Sequence, residues 1–133
     1  MAERIEGRSR ELLEEPNLCF VATLRSDGTP HVAPVWADLD GDVVRVNSAK
    51  GRMWPTNLER DPRVTLTIPN RDNPYEYVSI RGRVVDESVE GADAHIDLLA
   101  KKYIGADVYP LHTPEEQRII LRIEPEHVYH RGG

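Results

Sequence analysis

The chain has 133 residues, 39% of them hydrophobic and 30% charged, with a formal net charge of −6 at pH 7. That length suits a single domain over residues 1–133 with one modest core, and the acidic balance argues against nucleic acid as a main partner. No apolar run approaches the roughly 18 residues of a membrane span, the N-terminus lacks a signal pattern, and the one cysteine, Cys19, has no internal partner, so a soluble, cytoplasmic protein is expected.

Glu3 to Glu15 reads as a helix stopped by Pro16, with Ile5, Leu12 and Leu13 as a thin apolar stripe suited to covering the end of a barrel or sandwich. Leu18 to Leu24 is a continuous β-rich apolar run, a buried strand, and Asp27-Gly28 marks a tight turn after it. Pro30 to Asp38 reads as the next strand, edge-like or irregular because Pro30 and Pro34 each remove a ladder donor. Asp40-Gly41 signals a second hairpin into Val43–Val46, and short turns of this kind imply an antiparallel meander. Val64 to Ile68 alternates as a half-buried strand, and Tyr75 to Asp86 resumes as another, where mid-strand Gly82 suggests a bend or a close backbone approach. Glu90 to Ile104 is the strongest helical pattern, with Ile96, Leu99 and Tyr103 at helical spacing, Asp97 and Lys101 in favourable i, i+4 order, and Gly105 as its end. Arg118 to Ile123 is the last main strand, and His127–His130 beyond Pro125 reads as a short tail segment. Six strands, two main helices and one short helix imply a mainly β (α+β) fold, an antiparallel barrel with flanking helices.

The stretch Asn47–Pro62 lies between two of these strands and carries the clearest chemical signal. Asn47, Ser48, Lys50 and Arg52 surround Gly51, and Pro55 then suits the first turn of a short helix. A strand, a small basic loop and a helix start favour an anion, through backbone N–H groups, the helix dipole and charge-assisted hydrogen bonds. The rest of the chain offers no competing chemistry. The five histidines show no zinc-like spacing. Cys19 sits inside an apolar strand, where a thiol is usually inert, and no nucleophile elbow or dinucleotide or Walker signature is present. Reaction chemistry is therefore assigned to a bound cofactor, with the protein supplying position and electrostatics and no catalytic side chain named. Trp36, just upstream of the basic loop's own strand, is the aromatic best placed to line a planar ligand.

Taken together, Phe20–Trp36, Lys50–Val64, Asp72–Val85, the helix Gly91–Tyr103 and the close Ile123–Tyr129 resemble the split β-barrel flavin-binding superfamily of pyridoxamine 5′-phosphate oxidase. More narrowly they are similar to its deazaflavin-dependent branch, which uses coenzyme F420. The resemblance covers nearly the whole chain and implies a six-stranded, FMN-binding-like split barrel and a homodimer with two cofactor sites at the interface. It implies that Ser48, Lys50, Arg52 and Asn57 contact the cofactor's phosphate region, with the ring near Ala33, Pro34, Val35 and Trp36; Asn47, Met53 and Trp54 complete the candidate set. One departure stands out: many relatives carry a lysine where this chain has Trp54, followed by Pro55. The implied activity is hydride transfer from reduced coenzyme F420 to a small organic acceptor. The alternatives are an FMN-dependent oxidase or reductase on the same fold, or a non-catalytic flavin-binding protein.

Overall fold

The computed structural model describes residues 3–132. Its elements run α1 (Gly7–Glu14), β1 (Cys19–Leu24), β2 (Pro30–Val35), β3 (Ala37–Asp40), β4 (Val43–Ala49), α2 (Met53–Arg60), β5 (Arg63–Asn70), β6 (Asn73–Ser88), α3 (Ala92–Ile104) and β7 (Arg118–Arg131). Seven strands form one antiparallel sheet in the order β2-β1-β5-β6-β7-β4-β3. The strand count corrects the expected six. The run Pro30–Asp38, read as one strand, divides at Trp36, and its two halves join opposite edges of the sheet. The expected meander is therefore broken: β2 pairs with β1, while β4 pairs with β3 and β7.

That break dictates the shape. A flat sheet of seven strands would hold its edges about 29 Å apart, whereas Val35 and Ala37 are separated by one residue and at most about 7 Å of chain. The sheet must curl until its two edges meet at Trp36, which gives the split barrel. Trp36 leaves the strand because its indole has a better partner. It stacks on Tyr103 of α3 at 5.4 Å with an interplanar angle of 8°. Tyr103 Oη accepts the Ala37 N–H at 3.1 Å and donates to the Asn17 carbonyl at 2.7 Å.

Alternation along the strands fills the barrel. Val64, Leu66 and Ile68 of β5 and Val78 and Ile80 of β6 are buried, as are Val44 and Val46 of β4 and Ile119, Leu121 and Ile123 of β7. Each such side chain contributes about 1.5–3 kcal/mol through burial. Helix α1 is shorter than the Glu3–Glu15 expected, and Ile5 enters the core ahead of it, its N–H tied to Asp42 Oδ1 at 3.0 Å. The His127–His130 segment is no separate tail. It continues β7 past Pro125, and the register shift at Arg81/Gly82 absorbs the proline. Gly82 is there because a Cβ would lie 2.2 Å from the Glu124 carbonyl oxygen. Gly105 closes α3 in the left-handed region at φ 70°. No helix among the described residues is long and apolar enough to cross a membrane.

Candidate functional site

Where the rolled edges meet, a pocket of roughly 550 Å³ opens between β2, β4, the start of α2 and the start of β7. The size is that of a small-molecule or cofactor site. Strand β2 and its exit supply His31, Ala33, Pro34, Val35 and Trp36, and β4 supplies Asn47 and Ser48. Arg52, Met53 and Trp54 come from the start of α2, Tyr109 and Leu111 from the link after α3, and Arg118 from the first position of β7. Of the candidate set, Ala33, Pro34, Val35, Trp36, Asn47, Ser48, Arg52, Met53 and Trp54 are thus brought to one pocket.

Lys50 and Asn57 are placed differently. Lys50 lines an adjoining groove and is drawn toward Glu87 at 3.2 Å and Glu59 at 3.5 Å. The Glu87 carboxylate, with Glu59 behind it, raises the Lys50 pKa above its ordinary value. Asn57 is buried below the pocket, its amide donating to Thr23 Oγ1 at 3.0 Å and so fastening α2 to β1. Asn47 and Ser48 belong to β4 rather than to the loop, because β4 continues to Ala49 against β7. Helix α2 begins at Met53, with Pro55 inside its first turn, and Arg52 provides no side-chain cap for its N–H groups. Trp54 packs into the core with Leu58 while still lining the pocket.

A buried polar chain supports the pocket floor. Arg118, 5% exposed, donates from Nε to Asn47 Oδ1 at 2.9 Å and from Nη1 to Glu116 Oε1 at 2.7 Å. An arginine can only donate, so Asn47 presents its oxygen to Arg118 and its Nδ2 to the other side. There Nδ2 donates to the Ala92 carbonyl and faces His95 Nδ1 at 3.1 Å. His95 Nδ1 must then accept, which puts the ring proton on Nε2, directed at Asp38 Oδ1 3.0 Å away. Arg45 completes the chain with Nε and Nη2 on the Asp38 carboxylate at 2.9 and 2.7 Å. Burial pushes the Asp38 carboxyl up, but the hydrogen bonds from His95 and Arg45 outweigh it and hold it below its ordinary value.

Among the described residues, two polar atoms buried in the pocket wall have no hydrogen-bond partner: Ser48 Oγ and His31 Nδ1. Buried polar groups are normally satisfied, so these two atoms are exceptions within the pocket wall. Tyr109 stands edge-on to Trp36 at 6.0 Å, and its ring lies 5.3 Å from the Arg118 guanidinium carbon. Asp97 holds Tyr109 in place by accepting its N–H at 2.8 Å. Asp97 therefore does not make the expected pair with Lys101, which turns to Asp107 instead. Among the described residues, no group of three or more His, Cys, Asp or Glu could hold a metal ion. Cys19 lies in the core with its thiol pushed up to about 12 by burial, against a small opposing effect of Lys102.

Sequence reading missed Arg118, Tyr109, His95 and Glu116. Arg118 opens an apolar strand and looks like a solvated end residue. Only the register Ala49↔Arg118 between β4 and β7 brings it beside Asn47.

A family model described as pyridoxamine 5′-phosphate oxidase matches residues 5–132. Among solved structures, an F420 reductase superposes with a TM-score of 0.81 at 30% identity, over 90% of this chain and 94% of that one. The conserved hypothetical protein Rv2991 of Mycobacterium tuberculosis matches at TM-score 0.72 and 19% identity, over 97% and 85% of the two chains. General stress protein 26 of Bacillus anthracis matches at TM-score 0.65 and 15% identity, over 90% and 88%. The likeness to these last two shows the fold alone.

Proposed function

The chain belongs to the pyridoxamine 5′-phosphate oxidase family of flavin-binding oxidoreductases, and from that premise we propose that it transfers hydride from reduced coenzyme F420 to a small organic acceptor. The observation that carries this reading is the pocket itself: Ala33 to Trp36, Met53 and Trp54 give it a largely apolar lining, and Arg52 and Arg118 join them as its cations, sharing the Glu116 carboxylate of the adjoining groove. That is the complement of a planar ring bearing a phosphate tail, in a chain whose net charge is −6. The 30% identity to an F420 reductase favours the deazaflavin over FMN.

In this reading Ala33, Pro34, Val35 and Trp36 hold the ring against Met53 and Trp54. Arg52, Ser48 and Asn47 take the phosphate region, and Lys50 joins them by exchanging Glu87 and Glu59 for it. Asn57 acts from beneath by fixing α2 to β1. When bound, the deazaflavin supplies two-electron hydride chemistry at its C5 carbon. The chain's own contribution is orientation: rigid walls hold acceptor and ring in near-attack geometry and keep water out. No nucleophile is required of the protein, in keeping with the inert Cys19.

A homodimer with cofactor sites at the interface is part of the proposal. Its support is the outer face of β1 and β2, where Phe20 and Val32 are 36% and 58% exposed on a sheet edge with Leu18 beside them at 44%. An apolar face of this kind marks an interaction surface.

The test is a fluorescence titration of the purified protein with oxidised coenzyme F420 and, separately, with FMN, followed by turnover with an acceptor panel. Tight binding of the deazaflavin and acceptor-dependent oxidation of its reduced form are expected. Preference for FMN would replace the deazaflavin reading with the FMN-dependent one, and binding without turnover would leave a flavin carrier. Lys50→Ala combined with Arg52→Ala should weaken deazaflavin binding at least about tenfold, the scale of one lost charge-assisted contact. Unchanged affinity would remove the basic loop from the site.

A further inference from the structure

A carboxylate already sits between the two arginines of the pocket. Glu116 Oε1 accepts from Arg52 Nη2 at 2.6 Å and from Arg118 Nη1 at 2.7 Å. The glutamate comes from the link between α3 and β7, outside any helix or strand. Arg118, by contrast, cannot follow it: Asn47 fixes its Nε, Tyr109 lies against its face, and its side chain is 4% exposed. Arg118 Nη2 has no hydrogen-bond partner among the described residues. The orphaned Ser48 Oγ, in a residue 1% exposed, lines the same pocket.

We infer that Arg118 forms a carboxylate-binding subsite in which Glu116 is a tethered stand-in, and that the acceptor reduced at this site carries a carboxylate, while Arg52, released from Glu116, stays with the phosphate region. The subsite stands on the geometry alone; calling its ligand the acceptor rests on the oxidoreductase reading. A carboxylate carried on a loop and paired with a fixed arginine is exchangeable for a free carboxylate of equal charge and better fit, because the charge-assisted bonds are conserved and Glu116 returns to water. The position favours the acceptor over the cofactor tail. Arg118 adjoins Tyr109, and Tyr109 meets the Trp36 indole edge-on. A carboxylate on Arg118 is thus one aromatic ring away from the wall assigned to the deazaflavin ring, whereas the phosphate region is assigned to the side of Arg52, Ser48 and Lys50.

The experiment is calorimetric titration of the full chain with 2-naphthoate and with 2-naphthamide, isosteres that differ in charge, before and after saturation with coenzyme F420. Wild type should prefer the naphthoate at least about tenfold, in line with a bond to a charged group, and should keep that preference when the coenzyme is bound. Arg118→Met should abolish the preference. Glu116→Gln, at a more exposed side chain, should tighten naphthoate binding severalfold by removing the competing charge. These opposite signs separate a ligand-binding role from a structural one, and the Glu116→Gln arm remains informative where Arg118→Met does not fold. Equal binding of the two isosteres by wild type, or no gain in Glu116→Gln, would overturn the subsite. Naphthoate displaced by the coenzyme would overturn its assignment to the acceptor. A protein that takes no coenzyme F420 yet selects naphthoate would lose the deazaflavin reading and keep the subsite.

Discussion

Asn47 is the residue through which the pocket joins the Asp38 network, since among the described residues it alone hydrogen-bonds to both Arg118 and His95. Its neighbour in the chain of contacts, Asp38, makes that coupling pH-dependent. Burial raises the Asp38 carboxyl and the bonds from His95 and Arg45 lower it further than burial raises it, so its folded value lies below its unfolded one. A depressed carboxylate contributes stability that is present in full above the unfolded value and is lost as pH falls through the folded one. Asp38→Asn is therefore expected to destabilise the protein near neutrality, with the gap to wild type closing as the solution is acidified below the ordinary carboxylate range. Urea unfolding across a pH series measures this; a gap that widened toward acid would contradict it. The same network explains why a buried arginine is tolerated at all: its charge is met by Glu116 and its Nε by an amide held in one orientation.

Among the elements, the β6–β7 pair carries the most unusual local demand. Pro125 cannot donate to the ladder, and the register slips at Arg81/Gly82 to accommodate it. The slip brings Gly82 so near the Glu124 carbonyl that a methyl group would sit 2.2 Å from it, with Ile123 Cγ2 at 3.3 Å behind. Backbone cannot swing aside as a side-chain tip can. Gly82→Ala should cost about 3 kcal/mol, at the upper end of overpacking effects. A large drop in the urea midpoint at unchanged slope would confirm it, and a drop within a few tenths of a kcal/mol would refute the close approach. Helix α1 is held to the same pair from outside. Arg8 reaches Glu76 of β6 with two bonds at 2.9 and 2.8 Å, while His130 of β7 meets that carboxylate at 2.9 Å. The bonds from Arg8, Asn70 and His130 keep the Glu76 carboxyl well below its usual range.

For the molecule as a whole, the exposed apolar strip on β1 and β2 is the surface on which the proposed dimer would rest. Phe20 and Pro34 are register partners, as are Ala22 and Val32, so their side chains form one continuous patch at a sheet edge. Val32→Glu should convert the proposed dimer to a monomer and weaken coenzyme binding with it, because a charge on the patch would be buried without a partner. Analytical ultracentrifugation of the variant beside wild type tests this. A wild-type monomer that binds coenzyme would place the whole site within one chain.

Much of this protein was written locally. The strands β1, β4, β5 and the core of β6 and β7 follow from apolar alternation, Gly105 from its helix-ending role, and Gly82 from its place inside a strand. The basic stretch around Gly51 raised the expectation of an anion site, which stands as part of the proposed function, because charge, glycine and a helix start act over neighbouring residues. What lay beyond the sequence were effects that depend on distant partners. Trp36 divides a continuous strand only because Tyr103, 67 positions on, offers it a stacking face. Lys50 turns from the pocket because Glu87 and Glu59 compete for it. Arg118 joins the site because β7 pairs with β4 in one register. Local pattern sets which segments are strands and helices, through backbone preference and the alternation of side chains. Which charge meets which, and where two edges of a sheet close, is decided by contacts that exist only once the chain is folded.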